Sequence, residues 1–470
     1  MVTRYMTFGL QFIVYLMLAN KLGPYYMGIW GYFLLLTSYF SVLNLGLPSS
    51  ITLSLVHSKN DTHKSQTFEK SAYIIIGGIC ALIALFAVIN SFVNLDVLHK
   101  NELGFLFYVA CFVGILSQYV VVFTSVARVK GHLLSMAFSL TITVVLMLLA
   151  VLFFSGEKLL CFLGGAFVLG NILSIIVYIY RRNVSFRGHA EGEAVRTLLS
   201  QGLFLFLYSL CFQFIFISTR TLVSGSYSVE QFGFFSFAYT AAHSVILFLE
   251  AVANLIFPKL VDKFSDKDST VIKKTLKELR TGYISTTHLL MYVAMALFPL
   301  FIVLLPKYQE SLPCINLMAL TLLLYTNSYG YNTYLMSNHR EKLIARNAGI
   351  VLLMNVTMGW LLIHLLHVPY YIVLFSTMCS YLVYSAFCVF YGCKMLDLEI
   401  PVKVMIAELF PIRLLIPFSV ALIITIVNNA YLSFIPLFVF IIFNIPVLRD
   451  ISHLVSVMIK NPKITDIKRD

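Results

Sequence analysis

The chain has 470 residues, 60% of them hydrophobic and 11% charged, with a mean hydropathy of +0.89 and a formal net charge of +12. Soluble domains carry about 25% charged residues because their surfaces face water, so this composition excludes a soluble enzyme and a soluble nucleic-acid-binding protein. Most of the outer surface must face lipid.

Apolar runs of about 17–25 residues recur along the chain, each long enough for a helix to cross a ~30 Å hydrocarbon core. Helices are required, because isolated strands leave backbone groups unpaired in lipid. The first run, 5–20, follows Arg4, has no small-x-small cleavage site and is succeeded at once by a second run, so it reads as an uncleaved signal anchor. Gly23-Pro24 separates it from a span over 25–46, since proline lacks a donor N–H and disfavours helix in the residue before it. Spans over 71–92, 103–126, 133–154 and 159–180 follow, then a polar connection over 181–198. Next come 199–218, 231–256, 281–305, closed by Leu305-Pro306, and 313–336, which is apolar only in its first half. Spans over 345–365 and 369–391 precede a polar connection, and two short spans, 411–428 and 431–447, readable also as one re-entrant hairpin, complete the set.

The expected fold is an all-α integral membrane protein of about fourteen transmembrane helices. Its predicted parts are a six-helix lobe over 1–180, a cytoplasmic linker over 181–198, and a pseudo-twofold-related six-helix lobe over 199–391. An extra helix pair over 392–447 and a cytoplasmic tail over 448–470 follow. With the N-terminus inside, all 33 lysines and arginines fall on inner segments except Lys21, Lys100, Lys158, Arg220 and Lys307. That bias satisfies the positive-inside rule with both termini cytoplasmic. The basic excess is therefore mostly a topology signal, and no nucleic-acid partner is expected.

The two lobes carry similar elements. Leu22-Gly23-Pro24-Tyr25-Tyr26-Met27-Gly28-Ile29-Trp30-Gly31-Tyr32 opens one long span, and Ser228-Val229-Glu230-Gln231-Phe232-Gly233-Phe234-Phe235-Ser236-Phe237 opens another. A duplicated six-span unit explains both, and such repeats are a transporter signature with the substrate between the halves.

Polar residues inside spans supply the candidate site. Lys21 and Arg220 end the first and seventh spans. They read either as a pair of cations lining one cavity, suited to an anionic substrate and above all a diphosphate, or as interfacial snorkelling chains. Arg4 and Arg128 carry the same two readings on the inner side. Glu250, in the eighth span, reads as a protonatable or cation-binding coupling site or as an acid paired with a neighbour, since such residues are costly in lipid. His243 joins it as an ion-coupling candidate, or as a residue hydrogen-bonded to the next helix. Asn327, Tyr331 and Gln213 are the sugar-facing candidates, because amide and tyrosine faces offer hydrogen bonds and stacking. For Tyr331 a tyrosine belt at the inner interface is the alternative.

No catalytic residue, metal ligand set or cofactor is expected. The eight cysteines are scattered through apolar runs without ligand spacing and read as packing residues. No Walker-type loop, His-Glu-x-x-His or Gly-x-Ser-x-Gly element is present, and the outer connections are short.

Ala19-Asn20-Lys21-Leu22-Gly23-Pro24-Tyr25-Tyr26-Met27-Gly28 is similar to the basic-x-Leu-Gly-x(3–4)-Gly element of the multidrug/oligosaccharidyl-lipid/polysaccharide exporter superfamily. Thr219-Arg220 followed by Val229-Glu230-Gln231-Phe232-Gly233-Phe234-Phe235 is similar to that superfamily's Asp-Arg and Gly-Tyr elements, with Thr219 where an acid is common. Asn338-His339-Arg340-Glu341-Lys342 resembles its polar inner turn before the eleventh span, with Asn355 downstream. Within the superfamily the chain most resembles polysaccharide flippases of the O-antigen type. The resemblance implies translocation of an undecaprenyl-diphosphate-linked oligosaccharide across the bacterial inner membrane, by alternating access coupled to protons or sodium. It implies as partners the lipid-linked substrate, membrane lipids, and the polysaccharide polymerase with its chain-length machinery. A lipid II flippase, a multidrug exporter of the same superfamily and a membrane glycosyltransferase or polymerase are the alternatives.

Overall fold

The computed structural model describes residues 2–58, 61–93, 103–200, 203–264, 269–396 and 402–460; side chains are described outside 2–5, 204–205, 248–263, 402–404 and 450–460. The described residues are helical, with short turns and no strand. In chain order the helices are α1 (Val2–Val42), α2 (Leu47–His57), α3 (Thr62–Val93), α4 (Phe105–Val129), α5 (Leu133–Phe153) and α6 (Gly156–Tyr180). They continue as α7 (Gly192–Ser200), α8 (Leu203–Ser226), α9 (Val229–Phe264), α10 (Ser269–Leu304), α11 (Leu312–Thr326) and α12 (Tyr331–Ser337). The last are α13 (Glu341–His364), α14 (Leu374–Met395), α15 (Val402–Leu409), α16 (Ile412–Val427) and α17 (Ile435–Lys460).

Every predicted span but that over 313–336 lies mostly on a single one of these helices, and the chain is a multi-pass membrane protein. Among the described residues nine helices are long and apolar enough to cross a membrane, and a tenth if α1 and α2, bent by 40°, are taken together. Two spans differ in detail from the sequence reading. The first two run together as α1, broken at Gly23, whose φ of 70° an L side chain rarely adopts. The predicted span over 313–336 is split into α11 and α12, with Gly330 at φ 93° in the turn between them. The break over Asn327–Gly330 takes backbone groups out of the helical ladder, and the carbonyls of Asn327 and Tyr329 accept from the Arg280 side chain instead.

Contacts group the chain into two compact units, Met1–Thr240 with Glu341–Val373, and Ala241–Arg340 with Leu374–Asp470. In the first, α4 packs on α1, α2, α3 and α6, α5 lies along α6, and α13 lies along α8. In the second, α10 packs on α11 and α17, α14 packs on α11 and α12, and α16 pairs with α17. Arg413 at the head of α16 holds that pair to α10: its Nη1 donates to Ser285 Oγ at 2.8 Å and to Asn444 Oδ1 at 2.7 Å.

Candidate anion-binding site

The repeated elements of the sequence meet within the first unit. A Cβ on Gly28 would collide with the carbonyl oxygen of Val229, and one on Gly233 with the carbonyl oxygen of Pro24. One on Gly31 would collide with the Ser236 hydroxyl. Pro24, Gly28 and Gly31 pair in the repeat with Val229, Gly233 and Ser236 at one constant offset, so the crossing of α1 over α9 is itself pseudo-twofold. Small residues are needed because the helices approach backbone to backbone, the arrangement that lets membrane helices pack without side chains between them.

Beside this crossing lies Arg220, on α8. Its position is fixed from behind by Asn355 of α13, which is fully buried. Asn355 Nδ2 donates to the Ile215 carbonyl at 2.7 Å and to the Ser218 and Thr219 hydroxyls at 3.0 Å each. Arg220 is 3% exposed. Its Nη2 donates to the Gly31 carbonyl at 3.1 Å, and its Cζ stands 4.8 Å from the centroid of the Tyr239 ring. Tyr239 is in turn stacked on Phe216. The Tyr39 hydroxyl pairs with the Thr221 hydroxyl at 2.5 Å, and Tyr15 and Tyr39 both lie within electrostatic range of the guanidinium.

Among the described residues Arg220 has no acid beside it: its electrostatic neighbours are Tyr239, Tyr15 and Tyr39, and the ion pairs Lys130–Glu69, Lys274–Glu278 and Arg280–Glu408 lie elsewhere. Burying a guanidinium without a counter-charge costs several kcal/mol, of which a desolvated cation–π contact returns about 2 kcal/mol. Moreover, Arg220 Nε is buried without a hydrogen-bond partner. A fixed guanidinium with a bare donor, ringed by phenols that can themselves donate, has the chemistry that anions such as phosphate pair with.

Arg280 shows the contrasting case. Its Nη1 donates to the carbonyls of Asn327 (2.8 Å) and Tyr329 (3.1 Å). Its Nη2 donates to the Glu408 carbonyl at 2.7 Å and approaches Asn327 Oδ1 at 3.5 Å. The Tyr331 ring lies under the guanidinium at 5.0 Å, and Tyr331 Oη donates to Glu408 Oε2 at 3.4 Å. Asn327 Nδ2 donates to the Leu409 carbonyl at 3.0 Å. These partners occupy both Nη groups of Arg280, place Glu408 3.9 Å from its Nε, and tie the α11–α12 turn to α15. The sugar-facing candidates Asn327 and Tyr331 are thus both buried members of this cluster. Arg280 was not a candidate from sequence, because a basic residue at an inner span end reads as topology.

The other predicted residues are placed as follows. Lys21 Nζ donates to the Leu152 carbonyl at 3.2 Å, capping the end of α5, whereas Arg220 is bonded at Gly31. Arg128 is exposed in the last turn of α4. Gln213 is exposed on α8, bonded to Ser209 at 2.9 Å, and lies two turns from Arg220 on the same helical face. His243 is partly exposed on α9. The side chains of Arg4 and Glu250 lie outside the described residues. Among the described residues no group of His, Cys, Asp and Glu is arranged to hold a metal.

A family model described as "Polysaccharide biosynthesis protein" matches residues 1–264. No curated protein matches the sequence. Among solved structures, the chain is similar to a lipid II flippase MurJ in an inward closed conformation, with a TM-score of 0.66 at 13% identity over 99% of each chain. It is similar also to an inward-facing multidrug resistance MATE family transporter of the MOP superfamily, with a TM-score of 0.63 at 12% identity over 84% of this chain and 98% of that one. A MOP superfamily transporter from Pyrococcus furiosus, described by the reverse polarity of its binding pocket, gives 0.56 at 12% identity over 84% of this chain and 93% of that one. At these identities the likeness is one of fold.

Proposed function

The chain belongs to the polysaccharide biosynthesis protein family, and from that premise we propose that it is a flippase for an undecaprenyl-diphosphate-linked oligosaccharide. The observation that carries this reading is Arg220: a buried guanidinium, held by Asn355 from behind and Tyr239 from the side, with a donor left bare. In this reading the diphosphate meets Arg220, Gln213 on the same face of α8 meets the first sugars, and the lipid tail stays in the bilayer. No group on the chain needs to make or break a covalent bond.

The cycle follows from the crossing. By the topology of the basic loops, Gly28 and Gly233 lie at the outer ends of their spans, so the crossing closes the periplasmic side. Release outward requires α1 and α9 to part there, and Arg220 is bonded to the helix that must move. Charge on the substrate competes with the Gly31 carbonyl for the guanidinium, which links occupancy to opening. His243 and Glu250 follow Tyr239 at helical spacing on α9, which suits a proton or sodium site that resets the cycle. The inner membrane of a bacterium, with both termini cytoplasmic, is the location this reading assigns. Polymerase and chain-length machinery would receive the product on the far side.

A lipid II flippase is the second reading. It is favoured by the likeness to MurJ over 99% of both chains, where the MATE transporter spans 84% of this one. A strain lacking the protein separates the two. Accumulation of lipid-linked repeat units on the inner leaflet, with normal peptidoglycan synthesis, is the expected result. Accumulated lipid II would favour the second reading, and repeat units already outside but unpolymerised would point to a polymerase.

A further inference from the structure

We propose that a cavity between α2, α3 and α7 binds the phosphoethanolamine headgroup of an inner-leaflet phospholipid. The cavity has a volume of about 360 Å³, at the low end of small-molecule sites, and lies wholly within the first compact unit, apart from Arg220. Its walls carry opposite charges: Lys64 on the first turn of α3, and Glu191 with Glu193 at the start of α7. Ser54, Ser58 and Thr67 also line the cavity.

Thr67 makes the cavity more than a surface dent. Its side chain is 4% exposed, and its hydroxyl is buried without a hydrogen-bond partner. An orphaned buried hydroxyl costs about 1–3 kcal/mol, a cost relieved when a polar ligand in the cavity draws the Thr67 hydroxyl toward it. The charge pattern then selects the ligand. A purely anionic headgroup meets two carboxylates across from one lysine. A choline headgroup has no N–H to give them. A phosphate joined to a primary ammonium satisfies both walls with charge-assisted hydrogen bonds.

The surroundings point to a lipid as the carrier of that headgroup. On α2, next to the lining residues Ser54 and His57, Leu53 is 46% and Val56 55% exposed, a face along which acyl chains can run. The segments on which Lys64 and Glu191 lie are basic inner connections by the positive-inside rule, which places the cavity at the cytoplasmic interface. A headgroup bound there bridges α7, the helix of the central linker, to the foot of α2 and α3.

The test is competition among lipids. Purified full-length protein is placed in nanodiscs of equal phosphatidylethanolamine, phosphatidylglycerol and phosphatidylcholine, released, and its retained lipid weighed by native mass spectrometry. Phosphatidylethanolamine should be retained at least about tenfold over each of the others, the weight of one charge-assisted hydrogen bond. Glu191→Gln with Glu193→Gln should bring the ratio to the bulk value, and Thr67→Val, which changes neither charge nor shape, should lower it about twofold. Equal retention of phosphatidylglycerol, or enrichment unchanged in both variants, overturns the proposal. Displacement of the lipid by soluble glycerophosphoethanolamine would assign the cavity to a free zwitterion and overturn its lipid occupant.

Discussion

Arg220 donates to the carbonyl of Gly31 at 3.1 Å, and Gly31 is the residue against which Ser236 rests where α1 crosses α9. The buried cation and the helix crossing are therefore one piece of structure. A change at either one is felt at the other, and the variants below separate the two contributions.

At the crossing, Gly28→Val and Gly233→Val each force a side chain onto a backbone carbonyl of the opposite helix. Overpacking of this kind costs about 1–3 kcal/mol. Both variants should lower the thermal midpoint in detergent by similar amounts, because the two sites are related by the repeat. A large loss in one and none in the other would contradict the symmetric contact.

Asn355→Leu removes the amide that fixes α8. The Ser218 and Thr219 hydroxyls keep their bonds to the Ile215 carbonyl, so the stability cost should stay near 1–2 kcal/mol. Transport should fall much further than stability, because Arg220 loses its register. Complementation at normal protein level would show that Asn355 does not position Arg220.

The Arg280 cluster predicts the opposite pattern. Arg280→Met strips charge-assisted bonds from the carbonyls of Asn327, Tyr329 and Glu408, each worth about 1.5–3 kcal/mol, and should reduce the amount of folded protein. Glu408→Gln should cost under about 1 kcal/mol, since the side chains stand 3.9 Å apart and Glu408 is 43% exposed. Purified yield and thermal midpoint read both. A severe defect in Glu408→Gln would mean that the ion pair, not the carbonyl bonds, holds the turn.

Glu250→Gln keeps size and hydrogen bonding while removing the charge. It should leave membrane insertion intact and impair complementation, with His243→Asn acting in the same direction. Normal complementation by Glu250→Gln would remove its coupling role.

Much of the architecture was legible in the sequence because the bilayer imposes it: run length sets the spans. The Gly28 and Gly233 elements were legible as a repeat, yet not as partners, since a repeat does not state that its copies touch. Arg220 drew notice in the sequence as one of few cations at the outer ends of spans, where snorkelling is the alternative reading. Pairing it with Lys21 could not be checked that way. The crossing registers Arg220 with Tyr15 and Lys21 with Ser226, and Lys21 instead caps α5 through Leu152. The break at Asn327–Gly330 was visible only as excess polarity, because its cause, Arg280, is remote in sequence and looked like a topology marker. Glu69 was likewise invisible as a structural acid: it is 1% exposed, pairs with Lys130 at 2.6 Å and accepts from the Ser185 amide at 2.8 Å, contacts that only the fold creates.

The account rests on Arg220 receiving phosphate charge, and binding of a short-chain polyprenyl diphosphate to the purified protein measures this directly. Arg220→Lys should retain part of the affinity, whereas Arg220→Gln should weaken it at least about tenfold, the loss of one buried charge-assisted contact, with the thermal midpoint held or raised because an unpaired charge is gone. Undiminished binding by a folded Arg220→Gln protein would contradict the account.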